Sequence, residues 1–415
     1  MGCARRARHN LMRAILCGGS GGSFVQAFDY SFDLEGYIPK ERFARLKEFA
    51  SDKETPFVVL SRGTVGRKYD ELRKAMPYAD VYYAIKANPD ETILKLLIEK
   101  GSCFDIASIY ELDWMLRLGV PPDRLSYGNT VKKARDIRYA YEKGVRLFVS
   151  DSEGDVRNLA EHAPGSDVFF RILADGSGAD WPLSRKFGAQ PEVVFDILLL
   201  SKTLGLNPRG ISFHVGSQQK DVTQWRVAIK TCKDLFDAAA ERGITLDLIN
   251  MGGGLPAHYF HPIEETYVYA AEITDYLREF FGDDFPRIII EPGRYMVGDA
   301  GVLVSEVVLI SYKEREGGVP WMYLDVGKFG GLIETIDESL RYPVYSERTG
   351  ESRDYVLAGP TCDSMDVLYE KNLVRLPINV QEGDRLYFFT TGAYTRTYSA
   401  VFFNGFPPLK TYVVD

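Results

Sequence analysis

The residue with the most distinctive chemistry is Lys86, a basic side chain in the otherwise apolar run Tyr82–Asn88. A lysine that points into an apolar cavity mouth is expected to have a depressed pKa, which favours Schiff-base chemistry. Glu291 could keep the nitrogen of a pyridine ring protonated, so that the ring accepts electrons, and His214 could stack on the other ring face. These three residue types together indicate a covalently bound ring cofactor.

Glycines and hydrogen-bond donors elsewhere in the chain indicate an anion site. The run Gly252-Gly253-Gly254 lets backbone N–H groups approach a phosphate closely, and Ser217 and Arg294 supply side-chain donors. Each feature alone has a simpler interpretation, because a triple glycine is usually a turn and a strand-end lysine is usually a surface residue. Their joint placement at the ends of different predicted strands favours the functional interpretation.

Eight apolar runs that alternate with helical patterns must position these side chains. Helix signals separate the runs, such as the capping box formed by Ser108 and Glu111. The alternation predicts an α/β fold with a closed (β/α)₈ TIM-type barrel, for which an open doubly wound sheet is the alternative. In a barrel, the carboxyl ends of the strands form one rim, where the candidate residues would meet. The predicted strands are Tyr82–Asn88, Phe104–Ser108, Leu125–Asn129, Arg146–Asp151, Val168–Leu173, Ile211–Ser217, Leu246–Gly254 and Arg287–Arg294.

The pattern changes after about Gly301, where β-type runs follow one another with few long helical patterns between them. We therefore predict a barrel over residues 58–300 and a C-terminal all-β domain over residues 301–415. Residues 24–57 are expected to join the β domain. Residues 1–23 form a basic tail that ends in Gly and Ser, for which an extension from an upstream start site is favoured over a transit peptide.

Charge and composition exclude several classes of function. The 50 Lys and Arg residues against 58 Asp and Glu residues give a net charge of −8, which argues against nucleic-acid binding. The five cysteines are scattered without a CxxC pair and there are only five histidines, so no disulfide framework and no metal site are expected. Because no apolar run approaches the ~20 residues of a membrane span, we predict a soluble cytoplasmic protein without a membrane partner.

Several motifs resemble those of the pyridoxal-phosphate (PLP) decarboxylases of the alanine-racemase-like fold, a family that includes ornithine, diaminopimelate and arginine decarboxylases. The resemblance extends from about residue 30 to about residue 410. Its first motifs are Tyr83–Asn88, His214–Ser217, Gly252–Pro256 and Glu291–Tyr295. Its later motifs, which resemble the ornithine decarboxylase branch in particular, are Gly359–Ser364, Gly392–Thr395 and Phe403–Phe406.

The resemblance implies PLP as the cofactor, bound to Lys86 as a Schiff base. Glu291 would then pair with the pyridinium nitrogen and His214 would stack on the ring. Asp105, Glu111 and Arg171 match positions that support the lysine and the ring in this family. The residues implied to bind the phosphate are Ser217, Gly252, Gly253, Gly254, Gly293, Arg294 and Tyr394.

The resemblance also implies how a substrate is bound and reprotonated. Cys362 would return a proton to the substrate carbon, and the acids Asp363 and Asp337 would bind the distal ammonium of a diamino acid. Glu334 and Glu338 lie close to Asp337 in the sequence, so the identity of the second acid stays open. In the family, two chains face each other, and we therefore expect a homodimer with shared active sites.

The leading hypothesis is decarboxylation of L-ornithine to putrescine in polyamine biosynthesis. A lysine decarboxylase, or an enzyme that accepts both substrates, is the nearest alternative, because one methylene contributes only ~1–3 kcal/mol of discrimination. The alternative from a different class is a non-catalytic binding protein that resembles antizyme inhibitors. Such a protein is expected to lack cofactor residues, which this sequence retains.

Overall fold

The computed structural model describes residues 32–181, 186–315 and 317–415 of the chain. The predicted tail over residues 1–23 and the first part of the predicted segment over residues 24–57 lie outside the described residues. In the part of the chain that the structure describes, no helix combines the length and the apolar character that crossing a membrane requires.

Eight parallel strands close into a barrel, in which the first strand pairs with the last. Ile288 lies opposite Ala79, and Ile290 lies opposite Val81. This pairing confirms the predicted barrel and excludes the open sheet, because an open sheet leaves its outer strands unpaired. The barrel strands are Ala79–Ala84, Cys103–Ile106, Leu125–Tyr127, Leu147–Ser150, Asp167–Arg171, Asn207–Ser212, Leu248–Asn250 and Arg287–Ile290.

Large apolar side chains fill the inside of the barrel. The buried side chains of Tyr82, Val149, Phe169, Leu248 and Ile289 pack together there. The centre of the barrel is therefore a packed core, and space for a ligand lies at the rim.

Amphipathic helices cover the outside of the barrel. Helix Glu91–Glu99, for example, buries Ile93, Leu94 and Leu97, a spacing that places them on one face of a helix. At Ile109–Arg117 half of the predicted capping box is present: the Glu111 N–H donates to Ser108 Oγ, but Glu111 Oε2 accepts from the Ala107 N–H. The described helices are Lys40–Ala50, Arg62–Ala75, Glu91–Glu99, Ile109–Arg117, Ala134–Glu142, Glu153–His162, Pro191–Thr203, Thr223–Glu241, Thr266–Phe281 and Arg294–Val297.

A second, mixed sheet of eight strands forms a separate β domain. Its first strand corrects the predicted boundary, because residues 58–61 lie in this sheet and not in the barrel. Strand Phe57–Ser61 pairs antiparallel with Gly301–Ser311 and parallel with Lys410–Val414. An apolar run followed by a helix resembles one more barrel unit, and only the pairing shows which sheet it joins. The strands are Phe57–Ser61, Gly301–Ser311, Trp321–Leu324, Val344–Ser346, Ser352–Ala358, Val367–Pro377, Arg385–Phe389 and Lys410–Val414.

The β domain contacts the barrel rim next to Lys86. The Tyr394 N–H donates to the Ala87 carbonyl over 2.9 Å, and Asn88 Nδ2 donates to the Gly392 carbonyl over 2.7 Å. A short two-stranded sheet, Ala179–Trp181 with Ser217–Gln219, is also present. The rim of the barrel and the β domain therefore meet where the candidate site residues are expected.

Candidate active site

Lys86 lies just beyond the first barrel strand, in the short 3₁₀ helix Ile85–Ala87. The strand was predicted to continue to Asn88, but the chain turns after Ala84, and the Asn88 N–H donates to the Ile85 carbonyl. The Lys86 side chain is 49% exposed, and its Nζ lies 3.4 Å from Asp105 Oδ2. The amine is therefore accessible at the rim and has one long ionic contact.

The charged groups around Lys86 act against the depressed pKa that was expected for this amine. Burial lowers the pKa of Lys86, but Asp105, Tyr394 and Glu291 favour the protonated amine and raise its pKa overall. The predicted depression of the pKa is wrong, because the fold gathers these groups around one amine. Their sequence positions do not show this proximity.

Asp105 is a buried carboxylate on the second barrel strand. A side chain at Gly128 would collide with it, since a Cβ there would lie 1.9 Å from Asp105 Oδ1. Burial raises the pKa of Asp105, and the charge of Lys86 opposes this rise. Asp105 Oδ1 has no hydrogen-bond partner among the described residues. An unpaired buried carboxylate oxygen is costly, which is typical of a site that a bound group completes.

Glu291 follows the last barrel strand and is held by Asn250. Asn250 Nδ2 donates to Glu291 Oε1 over 2.5 Å, and Asn250 Oδ1 accepts from the Gly252 N–H over 2.9 Å. Burial raises the pKa of Glu291 to about 7; Asp105 adds to this rise and Lys86 opposes it. Sequence reasoning missed Asn250, although an amide at the end of an apolar strand, next to a glycine run, was an available signal.

His214 follows the strand Asn207–Ser212, and its ring is neutral at pH 7. Burial and the charges of Arg171 and Lys86 lower the pKa of His214 well below its usual value. Its Nδ1 accepts from the Gly216 N–H over 3.0 Å, which leaves the ring proton on Nε2. Arg171 ends its own strand, and its guanidinium lies 5.1 Å from the centre of the Phe187 ring.

The glycine run after Asn250 packs so closely against its neighbours that a larger residue would not fit there. Gly252 and Gly254 have φ angles of 62° and 118°, which favour glycine. A Cβ at Gly253 would lie 2.8 Å from the Glu291 carbonyl oxygen and 3.2 Å from His214 Nε2. The three glycines therefore bring their backbone close to the residues that were predicted to hold the ring.

The buried guanidinium of Arg294 is fixed by four hydrogen bonds. Its Nε donates to Ser217 Oγ over 3.0 Å, and its Nη1 donates to the Tyr259 hydroxyl over 2.7 Å. Nη1 and Nη2 also donate to the two carboxylate oxygens of Glu334, over 2.8 and 2.6 Å. Five guanidinium N–H groups are available in total. Arg294 is thus oriented before a phosphate binds, by a carboxylate partner that the sequence did not show.

Tyr394 brings the β domain to the same place. The Arg294 guanidinium lies 4.9 Å from the centre of the Tyr394 ring. A Cβ at Gly293 would lie 3.1 Å from the Tyr394 hydroxyl and 3.0 Å from Ala87 Cβ. The structure therefore gathers Ser217, Gly293, Arg294 and Tyr394 into one corner of the rim.

Cys362 and Asp363 stand apart from this cluster. Cys362 is exposed and its backbone N–H donates to Asn404 Oδ1 over 2.8 Å, and Asp363 Oδ1 accepts from the Met365 N–H. Within residues 32–181, 186–315 and 317–415, no hydrogen bond or ion pair joins either residue to Lys86. Their hydrogen bonds join them to other residues of the β domain.

The three acids near residue 337 have different surroundings. Glu334 is bound to Arg294, and Glu338 accepts backbone N–H groups of Glu370, Lys371 and Asn372. Asp337 is exposed and has a φ of 52°. Two of the three acids therefore already have structural partners.

The described residues fit PLP. The rim presents an exposed amine on Lys86, a carboxylate on Glu291 for a ring nitrogen, and glycine backbone with Arg294 for a phosphate. The unpaired Asp105 Oδ1 indicates that the site accommodates a further group. The TIM-type barrel, the residues at its rim and the attached β domain place this chain in the class of PLP enzymes that carry a lysine at the end of a barrel strand.

Comparison with known proteins makes the assignment narrower. Residues 62–298 match the family model "Pyridoxal-dependent decarboxylase, pyridoxal binding domain". The lysine/ornithine decarboxylase of Selenomonas ruminantium is 36% identical over 372 residues, which cover 89% of this chain and 92% of that protein. The ornithine decarboxylase of Schizosaccharomyces pombe is 32% identical over 415 residues, with 97% of this chain and 92% of that protein covered.

A solved structure is similar over the same extent. The Selenomonas ruminantium lysine decarboxylase in complex with PLP and cadaverine superposes with a TM-score of 0.81 at 33% identity, covering 91% of this chain and 94% of that chain. The chain belongs to the pyridoxal-dependent decarboxylases. It is a PLP-dependent amino-acid decarboxylase.

Proposed function

We propose that this enzyme converts L-ornithine to putrescine and carbon dioxide, with L-lysine as its nearest competing substrate. The observation that carries the proposal is the grouping of Lys86, Asp105, His214 and Glu291 at one rim, combined with an exposed Cys362-Asp363 loop. The relatives named above act on ornithine and lysine, which supports this substrate class for the present chain.

The cofactor residues have separable roles in the proposed reaction. Lys86 would bind PLP covalently through Nζ, and PLP supplies an electron-accepting ring when it is bound. Glu291, held by Asn250, would share a proton with the ring nitrogen, and a carboxyl pKa of about 7 suits this sharing. The neutral His214 would contact the ring face without placing a positive charge against it.

The phosphate residues orient the cofactor. The backbone of Gly252–Gly254 and the pre-oriented guanidinium of Arg294 would bind the phosphate, together with Ser217 and Tyr394. Since Glu334 already binds two nitrogens of Arg294, we expect the glycine N–H groups to supply a large part of the phosphate hydrogen bonds.

Two residues would act on the substrate from the Cys362-Asp363 loop. Cys362 would deliver a proton to the substrate carbon after carbon dioxide leaves, and Asp363 would bind the distal ammonium, which needs an acidic partner once it is desolvated. Because Glu334 and Glu338 have structural partners, we propose the exposed Asp337 as the second acid. We propose a homodimer, in which each loop completes the site of the other chain.

Carbon dioxide release tests the substrate proposal. The purified protein is supplied with PLP and with matched concentrations of L-ornithine, L-lysine, L-arginine or meso-diaminopimelate. We expect the highest kcat/KM with ornithine and a lower but measurable value with lysine. A higher kcat/KM with lysine would replace the proposed substrate while leaving the diamino-acid assignment intact.

Subunit mixing tests the proposed dimer. Lys86→Ala and Cys362→Ala chains are each expected to be inactive on their own. After random mixing of equal amounts, half of the dimers would be heterodimers, and each heterodimer would contain one intact site and one site that lacks both residues. We therefore expect recovery of about one quarter of the wild-type activity after exchange. If exchange is verified with labelled chains and no activity returns, the active sites are not shared.

A further inference from the structure

A cavity of about 760 Å³ lies apart from the residues assigned to the active site. It is bordered by helix Lys40–Ala50, the start of helix Arg62–Ala75 and strands of the second sheet. None of the residues proposed to bind PLP or substrate lines it. Its volume falls within the range of small-molecule pockets.

Three arginines line one side of this cavity. Arg42 Nη1 and Arg67 Nη2 both donate to Thr64 Oγ1, over 3.2 and 2.9 Å, and Arg45 lies on the same helix as Arg42. In the described part of the chain, none of the three forms an ion pair with a carboxylate. Two guanidinium groups therefore converge on one neutral hydroxyl without an anion to offset their repulsion.

The N-terminus of helix Arg62–Ala75 adds to this positive potential. Ser61 caps the helix through Oγ, and the first turn contains no acidic residue, so nothing in that turn offsets the partial positive charge of the helix end. Burial and the charge of Arg42 lower the pKa of Arg67, and the charge of Glu71 offsets this lowering only in part.

The acidic groups at the cavity do not neutralise the arginines. Asp299 is bound to Lys68 Nζ over 2.8 Å and accepts the His258 N–H over 2.8 Å. Asp415 lines the cavity, is exposed, and forms no ion pair with the three arginines within the described residues. The net charge of the lining is therefore positive.

The remaining lining is largely apolar. Leu46, Val59 and Val302 are buried at its base, and Phe49 and Ile38 border it. A small inorganic anion would neutralise the arginines but would leave this apolar surface in contact with water. A ligand with an anionic head and an apolar body satisfies both parts.

We propose that this cavity binds an amphipathic organic anion, whose carboxylate, phosphate or sulfonate lies between Arg42, Arg45 and Arg67 and whose apolar body contacts Leu46 and Val59. Asp299 and Ala300, which line the cavity, lie two and three residues beyond the helix Arg294–Val297. The ligand would therefore contact the chain close to the phosphate-binding residues without entering the active site.

Fluorescence titration of the PLP-loaded enzyme with 8-anilinonaphthalene-1-sulfonate tests the proposal, because bound PLP blocks the active site. We expect saturable binding with one site per chain, displacement by decanoate, and no displacement by decyltrimethylammonium. The double variant Arg45→Gln/Arg67→Gln should weaken binding at least about tenfold. Its decarboxylase activity should not change, since neither residue belongs to the active site.

Arg135→Gln is the matched control, because Arg135 is an exposed arginine on another helix and pairs only with its neighbour Asp136. This variant should bind the probe like the wild type. Equal affinities of the double variant and the control would overturn the proposal. Displacement by inorganic phosphate but not by decanoate would also overturn it, since the apolar part of the cavity would then have no role.

Discussion

Two lysines at the rim of the barrel show how the same side chain serves different purposes. Lys132 is fully buried, and its Nζ donates to the Asn129 and Val149 carbonyls and to Asp155 Oδ2, over 2.8 to 2.9 Å. Lys86 is 49% exposed and has one contact of 3.4 Å, to Asp105. The two amines therefore differ in how many hydrogen-bond and ion-pair partners surround them among the described residues.

The surrounding carboxylates differ in the same way. Asp155 Oδ2 also accepts from Ser150 Oγ, which ties Lys132 into a local network. Asp105 Oδ2 has only the long contact with Lys86 among the described residues, and Oδ1 has no partner there in either carboxylate. A saturated lysine stabilises the loop it belongs to, whereas a lysine with free hydrogen-bonding capacity can bind another molecule.

The largest expected effect is that of Lys86→Ala on cofactor binding. Because Lys132 is buried and saturated, it cannot replace the missing amine, so the variant should lose the visible absorption band of covalently bound PLP. Activity should fall by at least about 10³-fold. A retained band would place the covalent bond on another lysine and would remove the contrast between the two residues.

The reverse pattern is expected for Lys132→Met. Removing one partner of a buried ion pair leaves Asp155 uncompensated and should lower the free energy of unfolding by about 3–5 kcal/mol. The PLP band should remain in the folded protein. Urea denaturation measures the loss, with the exposed Lys133→Met as control.

The double variant Lys132→Met/Asp155→Leu sharpens this test. Because it removes both charges, it should recover much of the lost stability. If the double variant is no more stable than Lys132→Met, the ion pair is not the source of the effect.

A smaller effect is expected from Glu111, a carboxyl group whose charge interacts with those of Asp105 and Lys86. Burial raises the pKa of Glu111 from 4.5 to about 7 in the folded protein, although its hydrogen bond from the Ala107 N–H opposes this rise. Because folding raises this pKa, the contribution of Glu111 to the free energy of unfolding is fully present below pH 4.5 and is lost as the pH rises through 7. The loss is at most about 3 kcal/mol, because the side chain is partly exposed.

Glu111→Gln should therefore flatten the pH dependence of the free energy of unfolding between pH 4.5 and 7 and should make the cofactor-free protein more stable at pH 8. Glu153→Gln, an exposed control, should keep the wild-type slope. An unchanged slope in Glu111→Gln would show that this carboxyl titrates normally in the folded state.

Much of the fold follows from local patterns in the sequence. The eight apolar runs predicted the barrel strands to within a few residues, because β/α alternation is a local signal. Residues 58–61 were predicted to belong to the barrel domain, but the strand Phe57–Ser61 lies in the second sheet, since only pairing with Gly301–Ser311 and Lys410–Val414 decides which sheet it joins.

The site was only partly predictable. The residue types Lys86, His214 and Glu291 indicated the chemistry, because each side chain carries its own donor, acceptor or charge. Asn250 and Glu334 were missed as partners of Glu291 and Arg294, since those contacts join residues 40 or more positions apart.

By itself, the sequence determined the barrel, the cofactor class and the side chains available for catalysis, because helix and strand periodicity and functional groups are properties of the residues. Tertiary structure decided the direction of the Lys86 pKa, the pairing of Arg294 with Glu334 and the sheet that the strand Phe57–Ser61 joins. These properties depend on distances between atoms that are remote in sequence, and electrostatic and hydrogen-bond energies are set by those distances.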